Sequence, residues 1–147
     1  MTPHREIAGS VVLDTQGQFL IQLRDNIPTI IYPGRLALFG GLREGDESFL
    51  ECAIREFQEE LTYSLPAERF EHFMSYNGPD LDVEGCTAHG EIFIVRDIPV
   101  DAVTVTEGSL VIARLEELRS LRDRFVPFPW LILETFLSQN RPLRISN

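Results

Sequence analysis

The order of apolar and polar residues at the start of the chain predicts strands joined by turns. Residues 6–13 and 18–23 are rich in apolar side chains and flank the turn sequence Asp-Thr-Gln-Gly, which favours an antiparallel hairpin. Residues 24–33 contain two prolines and predict a loop. Residues 35–39 then predict a third, short strand.

A glycine pair, Gly40 and Gly41, follows this strand, and we expect it to lie in a loop that leads into a helix. From position 49 the apolar residues recur at intervals of three and four, which is the period of an amphipathic helix. Asp46 is the expected N-cap, because a short acidic side chain can accept a hydrogen bond from the first free backbone N–H groups. The apolar stripe of this helix consists of Phe49, Leu50, Ala53, Ile54, Phe57 and Leu61.

The rest of the chain predicts three more strands and a closing helix. Apolar-rich segments at 68–76, 87–96 and 109–114 predict the strands, and Asn77-Gly78-Pro79 predicts a turn after the first of them. Residues 127–139 predict the helix. Its apolar side consists of Trp130, Leu131, Leu133, Phe136 and Leu137.

Strands mixed with two helices predict a single α/β domain over residues 1–147, with a mixed sheet between the helices. The formal charge is −10 and every basic residue is arginine, which excludes a G-x4-G-K phosphate loop and a Schiff-base lysine. The acidic balance argues against broad binding to nucleic acid or to anionic membranes. It leaves a phosphorylated substrate possible, because a bound cation reverses the local charge.

Cysteine use and hydropathy predict a cytoplasmic protein. Cys52 and Cys86 form no metal-binding pattern, and Cys52 is expected to be a small buried apolar residue in a reducing compartment. The early apolar run is too short for a secretory signal, and no apolar run has membrane-spanning length.

The first predicted helix carries a dense group of acids. Glu56 and Glu60 are four residues apart, one turn above the other, and Glu59 lies on the same flank. Like charges at this spacing destabilise a helix by a few tenths of a kcal/mol. A divalent cation bound by the carboxylates would explain why these like charges lie so close together. Mg²⁺ prefers oxygen ligands and is commonly bound by carboxylates together with substrate phosphates. The alternative is a solvated acidic helix face.

The spacing of these residues resembles the Nudix box, G-x5-E-x7-R-E-U-x-E-E-x-G-U, where U is a bulky apolar residue. The chain departs from it at Thr62, where the family usually has glycine. Because a β-branched residue resists the left-handed conformation, we expect the helix to run past Thr62 until Pro66 stops it. Six of the fixed positions match, namely Gly41, Glu47, Arg55, Glu56, Glu59 and Glu60.

The resemblance implies an α/β/α sandwich and a Mg²⁺-dependent pyrophosphohydrolase, with Mn²⁺ as an alternative ion, acting on a nucleoside diphosphate linked to another moiety. It implies that Glu56 and Glu60 are metal ligands and that Glu59 is a ligand or the base that orients the attacking water. Arg55 would pair with a box carboxylate and fix its position. The resemblance also implies the carbonyl of Gly40 as a ligand and Glu47 as a weak or indirect metal contact.

Relatives often recruit one more glutamate after the box. We expect Glu107 in this role, and Glu91 is the second choice. The alternatives are an exposed turn for Glu107 and an outward strand position for Glu91.

Substrate selection is less clearly encoded. Arg24, Arg35 and Arg43 flank the box and could bind phosphate, although such arginines are more often surface residues. Pro79 lies at a position associated with ADP-ribose-hydrolysing members, and a Gly-Pro turn explains it equally well. Aromatic residues near the second helix could stack on a base, with core packing as the alternative: Phe125, Phe128 and Trp130.

Two functions therefore remain open at this point. The first is hydrolysis of a nucleotide sugar, ADP-ribose or a nucleoside triphosphate, with this small molecule as a partner and neither nucleic acid nor a membrane. The second is a non-catalytic sensor of the same fold that binds a nucleotide. Many relatives of the resembled family are dimers, which leaves a homodimer of this chain open.

Overall fold

The computed structural model describes residues 2–139, and a mixed sheet forms the centre of this part of the chain. Its seven strands are β1 (His4–Asp14), β2 (Phe19–Leu23), β3 (Leu36–Ala37), β4 (Phe39–Leu42), β5 (Glu71–Pro79), β6 (Thr87–Ile98) and β7 (Ser109–Ala113). Two α-helices, α1 (Phe49–Leu61) and α2 (Pro127–Gln139), accompany short 3-10 helices at Ala67–Arg69, Val100–Ala102 and Leu115–Arg124.

Strand β1 organises the sheet because it has three neighbours. It runs parallel to β6 along most of its length. On its other edge, its first half pairs with β4 and its second half pairs with β2, both antiparallel. The sheet order is β3-β2-β1-β6-β5, with β7 added beside β2. The predicted hairpin is the β1–β2 pair, and the predicted mixed sheet is confirmed.

The helices cover opposite faces of the sheet. Strand β6 shows this directly, since Ile92 and Ile94 point into one core and Phe93 and Val95 into the other. A strand buried on both faces reads as a continuous apolar run, which is how it appeared in the sequence. The first core contains Phe128, Ile132, Leu133 and Phe136 of α2. The second contains Cys52, Ala53, Phe57 and Leu61 of α1.

The glycine pair does not form a loop, which corrects the prediction. Gly40 and Gly41 lie within β4 and pair with Gly9 and Ala8 of β1. A Cβ added at Gly40 would lie 2.5 Å from the carbonyl oxygen of Ala8, so the close strand approach requires glycine. The predicted strand at 35–39 is divided at Leu38 into β3 and the start of β4.

Helix α1 begins at a different cap from the one predicted. The N-cap is Ser48, not Asp46. The Ser48 side chain accepts a hydrogen bond from the Glu51 N–H (3.0 Å), and the Glu51 carboxylate accepts one from the Ser48 N–H (2.8 Å). This reciprocal pair is a capping box, and its S-x-x-E signature was present in the sequence.

The end of α1 also differs from the prediction. The helix stops at Leu61, and Thr62 adopts the left-handed conformation with φ 54° and ψ 44°. That conformation costs a β-branched residue roughly 1–3 kcal/mol. Hydrogen bonds from a later segment offset this cost: the Thr62 hydroxyl donates to the Thr104 carbonyl (2.9 Å), and the Thr104 N–H donates to the Leu61 carbonyl (3.0 Å).

The predicted turn at Asn77-Gly78-Pro79 is wrong, because these residues continue β5 and pair with β6. Pro79 is tolerated there because it ends an edge strand. The closing helix has the predicted bounds. Cys52 is fully buried, as expected, and both cysteines are free thiols. Within residues 2–139, neither α1 nor α2 is long and apolar enough to cross a membrane.

Candidate active site

One cleft brings together most of the acids that the sequence singled out. It has a volume of about 370 Å³ and lies between the second half of α1, strand β4 and the loop formed by residues 104–108. We call it the acidic cleft. Its lining includes the side chains of Glu56, Glu59, Glu60 and Glu107, together with Gly40, Arg24, Gln22, Leu38 and Thr106.

Strand β4 contacts both Glu56 and Glu60 of α1, through the space left at Gly41 and through the backbone N–H of Gly40. The Gly40 N–H donates a hydrogen bond to the Glu60 carboxylate at 2.8 Å. The Glu56 carboxylate lies directly over Gly41, where a Cβ would collide with it. The box glycine at position 41 is therefore required by the space that a carboxylate occupies.

Burial makes Glu60 an unusual acid. The residue is 9% exposed, and its burial, followed by the nearby charge of Glu56, raises its pKa from 4.5 to about 8. The hydrogen bond from Gly40 opposes this shift. Burial also raises the pKa of Glu56, while the charge of Arg55 opposes the change. Such carboxyls gain strongly from a cation placed among them.

Arg55 connects the acids of the box. Its guanidinium makes two hydrogen bonds to Glu47, at 2.7 and 3.0 Å. The same group contacts Glu56 at 3.1 Å and Glu59 at 3.3 Å. The hydrogen bonds from Arg55 lower the pKa of Glu47 to about 2. Arg55 thus orients the Glu56 carboxylate, and Glu56 lines the acidic cleft.

The 104–108 loop carries Glu107 to the end of α1. The N–H of Thr106 donates to the Glu60 carbonyl (3.0 Å), and its hydroxyl donates to the Glu59 carbonyl (2.9 Å). Gln22 of β2 donates to the Glu107 carbonyl at 3.2 Å. These bonds satisfy the free carbonyls at the helix end and bring Glu107 beside the box acids.

Glu91, the second choice for this role, lies elsewhere. Its carboxylate is bonded to His72 (2.7 Å), His89 (2.5 Å) and the hydroxyl of Ser75 (2.6 Å) on strands β5 and β6. It does not line the acidic cleft. The structure therefore groups Glu107, and not Glu91, with Glu60.

Of the three arginines proposed for phosphate, Arg24 lines the acidic cleft. Its Nε donates to the Ile31 carbonyl at 3.0 Å, which orients the guanidinium. Arg35 donates instead to three backbone carbonyls, those of residues 123, 124 and 125. Arg43 forms an ion pair with Glu6 and lies 5.6 Å from the ring centre of Phe49.

An apolar groove of about 180 Å³ continues from the acidic cleft and shares Arg24, Leu38 and Gly40 with it. Its floor includes Ile7, Gly9, Ile92, Phe128 and Ile132, and Arg5, Tyr32 and Asp82 line it as well. Sequence reasoning missed this groove, because its residues come from distant segments that carry no common motif. Phe128 lines it, whereas Phe125 and Trp130 pack in the core.

The donors of the acidic cleft suit a hard divalent cation, since they are carboxylate and carbonyl oxygens. Within residues 2–139 no three His, Cys, Asp or Glu side chains already converge as a ligand set. The carboxylates of Glu56 and Glu60 are oriented instead by Arg55 and by the Gly40 N–H. The buried Glu60 with its raised pKa is the observation that fits a cation best.

Comparison with solved structures gives the same fold. A MutT protein from Methanosarcina mazei Go1 aligns with a TM-score of 0.78 at 18% identity, covering 95% of this chain and 97% of that one. A NUDIX hydrolase from Nitrosomonas europaea aligns with a TM-score of 0.69 at 20% identity, covering 99% and 96%.

A third similar structure is a bifunctional NMN adenylyltransferase/ADP ribose pyrophosphatase from Francisella tularensis, solved with AMP and a manganese ion. It aligns with a TM-score of 0.74 at 21% identity and 95% coverage of this chain, which spans 42% of the Francisella protein. No curated protein matches the sequence.

The family model described as the NUDIX domain matches residues 3–142, which is nearly the whole chain. The box residues that suggested this family lie on β4, on α1 and, for Glu47, in the loop between them, and Glu56, Glu59 and Glu60 line one cleft. This chain therefore belongs to the NUDIX family.

Proposed function

We propose that this protein is a divalent-metal-dependent hydrolase that cleaves a pyrophosphate bond in a nucleoside diphosphate linked to another moiety. The observation that carries the proposal is the meeting of Glu56, Glu59, Glu60 and Glu107 in one cleft. Family membership supports it. So do the descriptions of similar structures, one of which is an ADP ribose pyrophosphatase.

Glu56, Glu59, Glu60 and Glu107, with the carbonyl of Gly40, would hold Mg²⁺, or Mn²⁺ in its place. A bound cation would neutralise phosphate charge and lower the pKa of a coordinated water. The bifunctional Francisella protein was solved with a manganese ion, which agrees with this proposal.

The side chains around the acids have distinct proposed tasks. Glu59 is the most exposed of the box acids that Arg55 contacts, with 60% of its side chain accessible, so it can accept a proton from an attacking water. Arg55 is a positioning residue that holds Glu56 and Glu47. Arg24 lies where the cleft meets the groove and is the best placed of the three arginines to bind a phosphate.

The test is product analysis on a panel of nucleotide sugars, ADP-ribose and nucleoside triphosphates with Mg²⁺ or Mn²⁺. We expect the wild type to turn over at least one class and Glu60→Gln to lose at least 100-fold in kcat. Glu134→Gln is the matched control, because Glu134 is an exposed acid on α2. Equal turnover by Glu60→Gln would contradict the proposal.

Tight nucleotide binding without turnover under any divalent cation would favour the non-catalytic sensor instead. We further propose that the protein acts in the cytoplasm, which agrees with its two free cysteines. A homodimer is the assembly to test, and light scattering of the full chain measures it directly.

A further inference from the structure

The apolar groove can hold the part of a substrate that is not hydrolysed. It opens into the acidic cleft at Gly40 and Leu38, so one extended ligand can occupy both. Its volume of about 180 Å³ is below the roughly 300–1,000 Å³ of pockets for drug-sized ligands, which suits a single flat ring system. Apolar side chains from β1, β6 and α2 form its floor, and Gly9 leaves that floor without a side chain.

Asp82 is the acid that lines this groove. Its Oδ1 accepts a hydrogen bond from the Phe128 N–H at 2.9 Å, in the first turn of α2. Its backbone carbonyl accepts one from the Tyr32 hydroxyl at 2.9 Å. The Phe128 N–H therefore holds the carboxyl and the Tyr32 hydroxyl holds the backbone of the same residue, and a recognition group needs such support.

The charge of Asp82 is not neutralised by a salt bridge within residues 2–139. Of the basic residues, Arg5 has the largest electrostatic effect on Asp82. Its guanidinium, however, donates two hydrogen bonds to the Asp80 carboxylate, at 2.6 and 3.2 Å. Arg24 acts on Asp82 only through its charge. Partial burial raises the pKa of Asp82, because the ionised carboxylate is less well solvated at this position than in water. A ligand that donates hydrogen bonds would replace the water that the carboxylate has lost.

The chemistry of an ionised carboxylate restricts which ring it accepts. It has only acceptor sites, and one of them is taken by the Phe128 N–H. A guanine ring presents two adjacent donors, the ring N1–H and the 2-amino group. Adenine presents a ring acceptor beside its amino group, and that acceptor would face the negative oxygen. Hypoxanthine keeps the N1–H and lacks the second donor.

We propose that Asp82 is a specificity-determining residue that selects a guanine base in the apolar groove by accepting its N1–H and 2-amino hydrogens. The inference rests on the proposed function, because it assumes that the substrate is a nucleotide whose phosphates lie in the acidic cleft.

Binding of nucleoside monophosphates to the full chain with Mg²⁺ tests the proposal without requiring turnover. Measured by isothermal titration calorimetry, the affinity should decrease in the order GMP, IMP, AMP, and GMP should bind at least tenfold more tightly than AMP. Asp82→Asn keeps an oxygen for the Phe128 N–H and replaces the other acceptor with a donor. It should weaken GMP at least tenfold and leave AMP unchanged or tighter.

Glu84→Gln is the matched control, since it removes the same charge from an exposed residue of the same loop. It should leave the GMP preference intact. Thermal melting of Asp82→Asn reports whether the Phe128 contact survives. If that variant does not fold, the wild-type order of the three ligands decides alone, because it needs no substitution.

Equal affinity for the three bases in the wild type, binding of none of them, or a guanine preference that survives Asp82→Asn would each overturn the inference. Its failure can be separated from failure of the proposed function. Turnover that is indifferent to the base leaves the hydrolase and removes the role of Asp82. A GMP preference that depends on Asp82, without any turnover, supports the role of Asp82 and contradicts the proposed hydrolase.

Discussion

At the scale of single residues, the account depends on how the surroundings change ordinary side chains. Glu60 is an ordinary glutamic acid by composition, yet burial beside Glu56 raises its pKa from 4.5 to about 8. Gly41 is required because a carboxylate occupies the space of its missing side chain. Neither property can be read from the residue alone, because both depend on a neighbour that folding provides.

Glu60 gives a pH dependence with a defined sign. Its pKa is raised on folding, so between pH 4.5 and about 8 the folded state binds more protons and this contribution to stability falls as the pH rises. We expect Glu60→Gln, without added metal, to have a free energy of unfolding similar to that of the wild type at pH 5. At pH 8.5 the variant should be more stable, by on the order of a few kcal/mol.

Chemical denaturation at the two pH values measures this difference. A second series repeats the denaturation of both proteins with added Mg²⁺. The same concentration of added Mg²⁺ should stabilise the wild type more than Glu60→Gln. If the difference in unfolding free energy between the two proteins does not vary with pH, the pKa of Glu60 is not raised by folding.

Gly41→Ala separates the geometry of the acidic cleft from the stability of the fold. The added Cβ collides with the end of the flexible Glu56 side chain, so the carboxylate can move aside at little cost in stability. We expect divalent-metal affinity to fall about 10–100-fold. The free energy of unfolding in urea should change by less than about 1 kcal/mol. Unchanged metal affinity would contradict the placement of Glu56.

At the scale of elements, regular segments were predictable, whereas both ends of α1 were not. The β1–β2 hairpin and α2 follow from local periodicity and turn residues, which the sequence displays directly. The end of α1 depends on Thr104, which lies far away in sequence and supplies a hydrogen bond to Leu61. The glycine pair of β4 was misplaced because its strand partner is the N-terminal half of β1.

The cap of α1 gives a prediction at this scale. Ser48→Ala removes one half of the capping box and should cost about 1 kcal/mol of unfolding free energy. Asp46→Ala is the matched control two residues earlier, and it should change stability by less than about 0.5 kcal/mol. Urea denaturation of both variants measures the difference. A larger loss for Asp46→Ala would contradict the assignment of the cap.

At the scale of the whole molecule, the sheet brings distant segments to one place. The acidic cleft joins β4 and α1 to the 104–108 loop, and the groove joins β1 to α2 and the 80–86 loop. The box predicted the first half of the cleft because its residues follow one local spacing. The groove has no such spacing, so Asp82 could be recognised only after folding had placed it beside Phe128.

The central claim is that the acidic cleft binds a divalent cation through the acids of α1, and direct titration with Mn²⁺ tests it. Electron paramagnetic resonance of the free ion should report at least one site in the wild type. Glu56→Gln and Glu60→Gln should each lower the affinity at least tenfold, while Glu134→Gln should bind as the wild type does. Equal Mn²⁺ affinity in all four proteins, or no uptake by the wild type even with nucleotide present, would contradict the account.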